Sequence, residues 1–299
     1  MTTAGLPDEE LFAQGHRACA GCGSAIAMRH ALKAAGKNTI VVSATGCMEV
    51  VSSPYPETSW KVPWIHAAFE NSAAVASGIA EALKAQKKDV NVLAIAGDGG
   101  TFDIGFQALS GAVERGHNFC FLCYDNSAYM NTGIQRSGAT PKYAATTTSP
   151  AGKIMHGKQE WKKQMPLIIA AHNEDVYVAT ANIAYPQDFY KKVKKGIEHK
   201  GPAYIQVYVP CVPGWKIASN KTIEIAKLAY NTKVTPLYEI EKGQLKFSMK
   251  PSKDIPIIDY LKTQGRFKHL NEKEVAEVQE HVNKQWDKLI KLEETKVRI

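Results

Sequence analysis

The chain has 299 residues, of which 44% are hydrophobic and 22% charged, the composition of an ordinary globular protein. It carries 37 Lys and Arg against 29 Asp and Glu, a formal net charge of +8. The lysines are spread along the chain apart from clusters at 191–195 and near the C-terminus. The charge therefore favours a solvated basic surface over a nucleic-acid site. No run approaches the ~20 apolar residues of a membrane span, which excludes a spanning protein.

The N-terminal segment MTTAGLPDEELF is acidic and lacks the apolar core of a signal peptide. We therefore expect a cytoplasmic protein that contacts no membrane. Thiols stay reduced in that compartment, so the six cysteines indicate metal or redox chemistry before structural disulfides.

The first motif is Cys19-Ala20-Gly21-Cys22, two cysteines separated by two small residues. Glycine beside such a pair frees the backbone, so that both sulfurs can point to one metal. The residues that follow predict a helix over 25–35 and then a strand over 39–42. Cys47 comes shortly after that strand, and we expect it beyond the strand's carboxyl end.

The central motif is a strand–helix–strand unit. Wholly apolar runs at 92–96 and 119–124 predict two parallel strands buried on both faces. The first run ends at Gly97-Asp98-Gly99-Gly100, where we expect the glycines to let the chain turn sharply and approach a ligand. A helix capped by Thr101 or Asp103 is predicted next.

Polar side chains follow both of these strands. Strands joined by a right-handed crossover end at the same edge of a sheet, so Asp98 and Asn126 are expected to lie close together. Carboxylate and amide oxygens suit Mg²⁺, which commonly bridges protein to phosphate. The N-terminus of the new helix adds donors for the same phosphate. The residues alone therefore predict a site for a magnesium-bound diphosphate. A nicotinamide fingerprint is excluded, because Phe102 stands where GxGxxG requires glycine.

The remaining cysteines fall into two groups. Cys120 and Cys123 lie inside the second strand with side chains on opposite faces, so we interpret them as small buried hydrophobic residues. A buried strand predicted over 204–209 runs directly into Cys211. Four cysteines can thus converge on one metal centre near the carboxyl edge of the sheet: Cys19, Cys22, Cys47 and Cys211.

Four thiolates suit either a [4Fe–4S] cluster or a structural zinc, and their spacing does not separate the two. A zinc ribbon more usually has a second close Cys-x-x-Cys pair, whereas Cys47 and Cys211 are single and distant. Both alternatives stay open on the residues alone.

The C-terminal part carries less chemistry. It predicts a helix over 221–231, a hairpin over 235–250 that turns at Lys242-Gly243, and a final amphipathic helix. Asn271 and Glu274 have the spacing of a capping box at the start of that helix. We expect the apolar face of this helix to pack on the core or on a partner subunit.

Gly-Asp-Gly followed one helix and one strand later by Asn resembles the thiamine diphosphate (TPP) motif. Further segments, in order, resemble the β subunit of pyruvate:ferredoxin oxidoreductase over about residues 15–220 and in the tail. They are CAGCG from Cys19, TGCME from Thr45, WIHAAFEN from Trp64, GDGGTFDIGFQAL from Gly97, YDNSAYMNTGIQRSGATP from Tyr124 and LKTQGRFKHL from Leu261.

The resemblance implies an α/β fold with a doubly wound, mainly parallel sheet of the TPP-binding type and a C-terminal arm. We expect residues 1–230 to form the TPP-diphosphate-binding domain with its Fe–S knuckle. Residues 231–299 would form the C-terminal extension, a hairpin plus an amphipathic helix.

The resemblance also implies roles for particular residues. Asp98, Asn126 and the Ala128 carbonyl would hold magnesium, and Asn131 matches an asparagine that contacts the substrate. Cys19, Cys22, Cys47 and Cys211 would ligate a [4Fe–4S] cluster. The pocket for the cofactor would include Gly46, Cys47, Gly97, Asp98, Gly99, Gly100, Asn126, Ala128, Tyr129 and Met130.

The reaction implied is reversible: pyruvate, coenzyme A and oxidised ferredoxin give acetyl-CoA, carbon dioxide and reduced ferredoxin. TPP enzymes activate the cofactor with a glutamate from a pyrimidine-binding domain, and this chain has one Gly-Asp-Gly unit and no internal repeat. We therefore expect the glutamate from another subunit, electrons to leave through a ferredoxin-like subunit, and the chain alone to be inactive. An acidic electron carrier would suit the basic surface.

Two alternatives remain. The same chemistry on another 2-oxo acid (branched-chain, aromatic, 2-oxoglutarate or oxalate) fits the motifs equally well. A zinc-knuckle protein that binds nucleic acid is the remote alternative, and it leaves the spacing of Asp98 and Asn126 unexplained. The roles of Glu49, His66 and Glu70, the direction of the reaction and the stoichiometry of the complex stay open.

Overall fold

The computed structural model describes residues 5–54 and 56–299. The first four residues, which belong to the segment used above to exclude a signal peptide, lie outside the described residues, as does Tyr55.

The described residues form one eight-stranded sheet. Its strands are β1 (Thr39–Ala44), β2 (Trp64–Ala67), β3 (Asn91–Gly97), β4 (Cys120–Asp125), β5 (Tyr177–Asn182), β6 (Ala203–Tyr208), β7 (Leu237–Glu241) and β8 (Gln244–Met249). The strand order is β2–β1–β3–β4–β6–β5–β7–β8, and the first six strands are parallel. β7 pairs antiparallel with β5, and β8 pairs antiparallel with β7.

Helices pack on both faces of this sheet. They are α1 (Gly23–Ala35), α2 (Cys47–Ser52), α3 (Ser72–Ala85), α4 (Phe106–Glu114), α5 (Met165–Ala170), α6 (Pro186–Glu198), α7 (Val212–Trp215), α8 (Thr222–Asn231), α9 (Ile257–Leu261) and α10 (Glu272–Thr295). A π-helical turn over Gly100–Ile104 precedes α4, and 3₁₀ turns cover Ser219–Lys221 and Gly265–Phe267. The predicted doubly wound, mainly parallel α/β fold is confirmed.

The two faces have separate apolar cores. One core packs under α3, α4 and α10 and contains Cys123, while the other packs under α1 and α6 and contains Cys120. Both thiols are buried on opposite faces, which confirms their interpretation as core residues. Within the described ranges there is no helix both long and apolar enough to cross a membrane.

Two strands were not predicted from the sequence. β2 is a short edge strand, and its Ile65 and His66 are exposed. β5 carries Thr180 and Asn182, which weaken its apolar pattern. The fold satisfies both side chains: Thr180 Oγ1 donates to the Pro236 carbonyl at 2.8 Å, and Asn182 Nδ2 donates to the Ala226 carbonyl at 2.8 Å.

The C-terminal part continues the same sheet. β7 pairs with β5, and the predicted hairpin turns between β7 and β8 at residues 242–243. The predicted capping box of α10 is also present, because Glu274 N donates to Asn271 Oδ1 at 3.0 Å and Asn271 N donates to Glu274 Oε2 at 2.9 Å. The division into domains at residue 230 stays a prediction.

Candidate functional site

Asp98 and Asn126 meet at the carboxyl edge of the sheet, as the crossover argument predicted. β3 and β4 are neighbours, and each of the two residues follows the end of its strand. The backbone N–H of Asn126 donates a hydrogen bond to Asp98 Oδ1 at 3.1 Å. Asp98 is fully buried and Asn126 is 4% exposed. The two ligands predicted for magnesium are therefore adjacent and shielded from water.

Three oxygens cluster at this position. The side-chain oxygen of Asn126 faces only acceptors, and the position it occupies is 2.9 Å from Asp98 Oδ1 and 2.9 Å from the Ala128 carbonyl oxygen. Turning the amide over would let its nitrogen donate to both oxygens at the same distances. Octahedral Mg²⁺ with bonds of 2.0–2.1 Å places neighbouring ligand oxygens about 2.9 Å apart. A separation of 2.9 Å is thus common to neighbouring ligands of such an ion and to hydrogen bonds from the turned amide, and in both orientations the three groups are adjacent.

A second buried carboxylate, that of Asp125 at the end of β4, lies near Asp98. Burial, and then the charge of Asp125, raise the pKa of Asp98 above its usual range, while a hydrogen bond from the Ser137 hydroxyl opposes the rise. Lys162 forms an ion pair with Asp125, and Gln206 Nε2 donates to the same carboxylate at 2.8 Å. These partners balance part of the negative charge beside the three oxygens. Sequence reasoning missed them, because no local pattern links residues so distant along the chain.

The Gly-Asp-Gly-Gly segment differs from the expected sharp turn. The chain passes from β3 directly into helical conformation, and Gly99 has φ −62° and ψ −45°, which any residue can adopt. Its neighbours explain the glycine: a Cβ on Gly99 would lie 2.4 Å from the Tyr129 ring. The expected freedom to turn was therefore the wrong reason for this glycine. Glycine is needed at position 99 because the 129–140 loop approaches the start of the helix so closely.

The expected cap of the following helix was also wrong, because no side chain caps the π-helical turn. Asp103 instead ties three segments together. Its Oδ2 accepts hydrogen bonds from Tyr129 Oη at 3.2 Å and from Gly138 N at 2.8 Å, and its Oδ1 pairs with Lys163 at 2.9 Å. Single π turns occur frequently at functional sites. Here the turn carries the residue that fixes the loop beside the three oxygens.

We expect Gly99→Ala to lower the free energy of unfolding by about 1–3 kcal/mol, the usual effect of overpacking. The cause is the contact with the Tyr129 ring, so the added cost should fall below about 0.5 kcal/mol in a Tyr129→Ala background. Urea unfolding of all four proteins measures both values.

Gly78→Ala is the matched control. Gly78 lies in α3 with open space around a new Cβ, so alanine there should be neutral or stabilising by up to about 1 kcal/mol. Equal costs for Gly99→Ala with and without the Tyr129 ring would contradict the steric explanation.

The four candidate cysteines also come together. Burial raises the pKa of Cys47 to about 12, and the other three sulfurs, Cys211, Cys22 and Cys19, add to this rise. Burial likewise raises the pKa of Cys211 to about 11, with Cys22 and Cys19 among its neighbours. Yet in the described part of the chain no three His, Cys, Asp or Glu side chains are arranged to hold a metal ion. The four sulfurs thus share one neighbourhood without converging on one point.

The cysteine neighbourhood and the three oxygens are joined by α7. Cys211 immediately precedes this helix, and Trp215 at its end donates from Nε1 to the Asn126 carbonyl at 2.8 Å. A Cβ on Gly214 would lie 2.1 Å from Met130 Sδ and 3.2 Å from Cys211 Sγ. Met130 therefore fills the space that the glycine leaves open, beside a candidate cluster ligand.

The other predicted site residues lie around these groups. Asn131 is exposed on the loop after Met130, and Gly46 lies between β1 and α2. Two residues whose roles the sequence left open are linked there: His66 Nε2 lies 2.7 Å from Thr45 Oγ1, and His66 Nδ1 lies 3.9 Å from Glu49 Oε1. The structure orients this imidazole beside the start of α2 and assigns it no further role.

A scan of family models matches residues 44–207 to the thiamine pyrophosphate enzyme C-terminal TPP-binding domain. Pyruvate synthase subunit PorB of Methanothermobacter thermautotrophicus is 57% identical over 279 residues, 93% of this chain and 96% of the relative. The chain belongs to this TPP-enzyme family.

Two further family comparisons bear on the fold and on the substrate. The ketoisovalerate oxidoreductase subunit VorB of Pyrococcus abyssi is 46% identical, with 97% of this chain and 95% of that relative covered. A solved 2-oxoglutarate:ferredoxin oxidoreductase from Magnetococcus marinus superposes with a TM-score of 0.58 at 20% identity. It covers 75% of this chain and 82% of that chain, and supports the fold alone.

Proposed function

We propose that this chain is the TPP- and [4Fe–4S]-carrying subunit of a pyruvate:ferredoxin oxidoreductase. The complex would convert pyruvate, coenzyme A and oxidised ferredoxin to acetyl-CoA, carbon dioxide and reduced ferredoxin, reversibly, in anaerobic metabolism. The observation that carries the proposal is the adjacency of three groups at the carboxyl edge of the sheet: the Asn126 side-chain amide lies 2.9 Å from both Asp98 Oδ1 and the Ala128 carbonyl oxygen. It lies inside a TPP-binding domain whose relatives are named pyruvate synthase subunits.

The three oxygens would hold Mg²⁺ and, through it, the diphosphate of the cofactor. Backbone N–H groups at the start of the helix after Asp98 would favour negative charge beside it. When bound, TPP supplies nucleophilic attack on a 2-oxo carbon and a place for the electrons left when carbon dioxide departs. The chain's own residues would bind and orient the diphosphate, with Asp98 as a ligand that is buried in the free protein.

The four cysteines would be the ligands of the [4Fe–4S] cluster in this proposal. Around one zinc ion with bonds of ~2.3 Å, four sulfurs stand only about 3.8 Å apart. In a [4Fe–4S] cluster each sulfur binds a different iron, so the sulfurs stand further apart. Four thiols in one neighbourhood would supply the four ligands that such a cluster needs, and metal analysis separates the cluster from zinc.

The remaining parts of the proposal concern contacts outside this chain. Exposed Asn131 is available to a substrate. The glutamate that activates the cofactor would come from a pyrimidine-domain subunit, and electrons would pass to a ferredoxin-like subunit and then to ferredoxin. The cytoplasmic location stays a prediction from the sequence.

The identity of the 2-oxo acid is the second question. A relative that acts on ketoisovalerate is 46% identical, so the branched-chain acid is the alternative that a specific finding favours. The several relatives named pyruvate synthase are 47–57% identical, which favours pyruvate. The values of kcat/KM of the assembled complex for pyruvate and for ketoisovalerate (3-methyl-2-oxobutanoate) would show which of the two acids is the substrate.

The test of the cofactors is a visible spectrum of anaerobically purified protein with iron, sulfide, zinc and TPP analysis. A broad band near ~400 nm with about four irons per chain, and TPP retained in Mg²⁺, would support both halves of the proposal. A colourless protein with one zinc would contradict the cluster, and a protein that binds no TPP would contradict the diphosphate site.

A further inference from the structure

The segment LKTQGRFKHL has no role in the proposed chemistry, yet it packs against the helix that follows Cys211. Its 3₁₀ turn, Gly265–Phe267, lies against the end of α7, and a Cβ on Gly265 would be 2.7 Å from Lys216 Cβ. This close approach brings Arg266 over Trp215, with the guanidinium carbon 4.0 Å from the ring centroid.

Arg266 is a buried charge whose contacts do not balance it. It is 2% exposed, and Nε donates to the neutral Gln264 Oε1 at 2.9 Å. Nη2 is buried and has no hydrogen-bond partner among the described residues. An unpaired charge in a protein interior is costly, so a buried guanidinium with a free donor points to a negative group that completes its environment.

Trp215 links this guanidinium to the cysteine neighbourhood, because a Cβ on the preceding residue, Gly214, would lie 3.2 Å from Cys211 Sγ. Trp215, which the guanidinium stacks on, ends the four-residue helix that begins immediately after Cys211, and Trp215 N donates to the Cys211 carbonyl at 3.0 Å.

We propose that Arg266 is the buried counter-charge of the four-cysteine centre and stabilises its reduced form. This inference rests on the cluster of the proposed function. Four thiolates give a [4Fe–4S] centre a net negative charge, and reduction adds one electron and one further negative charge without making or breaking a bond. A fixed cation held in a water-poor environment favours the more negative state and so raises the reduction potential.

The test compares three variants of the full chain in its complex. Arg266→Gln removes the charge, Arg266→Lys keeps it, and Lys268→Gln removes an exposed charge from the same segment. Potentiometric titration followed by EPR measures the ratio of reduced to oxidised cluster, while iron, sulfide and TPP are counted per chain.

We expect Arg266→Gln to lower the reduced-to-oxidised ratio at a fixed potential at least tenfold, about 59 mV for a one-electron couple. Arg266→Lys and Lys268→Gln should stay within threefold of the parent protein. If Arg266→Gln does not fold, the lysine variant decides: full iron and a titration within threefold support the counter-charge, and a tenfold shift overturns it.

Other outcomes overturn the inference in distinguishable ways. A folded Arg266→Gln protein whose cluster titrates within threefold of the parent removes the role of the charge while leaving the proposed function intact. An unchanged potential with a raised KM for the 2-oxo acid would assign Arg266 to the substrate carboxylate instead. A parent protein without iron would overturn the cluster itself, and this inference with it.

Discussion

Asp98→Asn is expected to lower the affinity for TPP in the presence of Mg²⁺ at least about hundredfold. Changing a residue that only supports a metal ligand already costs 10–100-fold, and Asp98 is proposed as a direct ligand and as the anionic one of the three. Calorimetric titration of the assembled complex with TPP, at saturating Mg²⁺, measures the change.

This variant separates loss of the ligand from loss of the fold. The amide has the size of the carboxyl and removes the repulsion with buried Asp125, so the free energy of unfolding without Mg²⁺ should not fall. Asp89→Asn, at an exposed position before β3, is the control and should bind TPP as the parent does. Affinity retained in Asp98→Asn would exclude this edge of the sheet as the diphosphate site.

Cys211→Ala is expected to reduce the iron content from about four per chain to less than one and to stop electron delivery to ferredoxin. TPP binding should stay within about threefold of the parent, because Cys211 contributes none of the three oxygens. Iron and sulfide analysis, the visible spectrum and ferredoxin reduction by the complex measure these effects.

The matched control is Cys120→Ala, which removes a buried thiol at the start of β4, the end away from the candidate site. It should keep its iron and lose stability only through the small cavity that it leaves. Iron retained in full by Cys211→Ala, or unchanged ferredoxin reduction, would refute the assignment of this cysteine.

The part of the site that follows from topology was predictable from the sequence. Asp98 and Asn126 each follow an apolar strand, and one crossover suffices to place them together. The α10 cap was predictable for a similar reason, since Asn271 and Glu274 are three residues apart. Such features depend on local pattern or on a single strand pairing.

Features that depend on distant contacts were not predictable. Glycine is required at position 99 because the Tyr129 ring occupies the space beside it. The counter-ion of Asp125 is Lys162, which is far away along the chain. Strand β5 was missed because half-buried Thr180 and buried Asn182 find their hydrogen-bond acceptors only in α8 and in the segment before β7. In each case the partner is set by tertiary structure, which overrides local preference.

The contact between the two ends of the cysteine neighbourhood has a consequence for biosynthesis. The Thr222 hydroxyl donates to the Gly21 carbonyl at 2.6 Å, across a separation of 201 residues, so the loop of Cys19 and Cys22 is held by a segment that the ribosome delivers much later. Contacts this distant form late in folding, because the intervening chain must first be ordered. The Cys-x-x-Cys loop is among the first parts of the chain to be synthesised, yet its contact with Thr222 must wait for the later segment. A [4Fe–4S] cluster with ligands at Cys19 and Cys211 could likewise be completed only after both ends of the chain had been made.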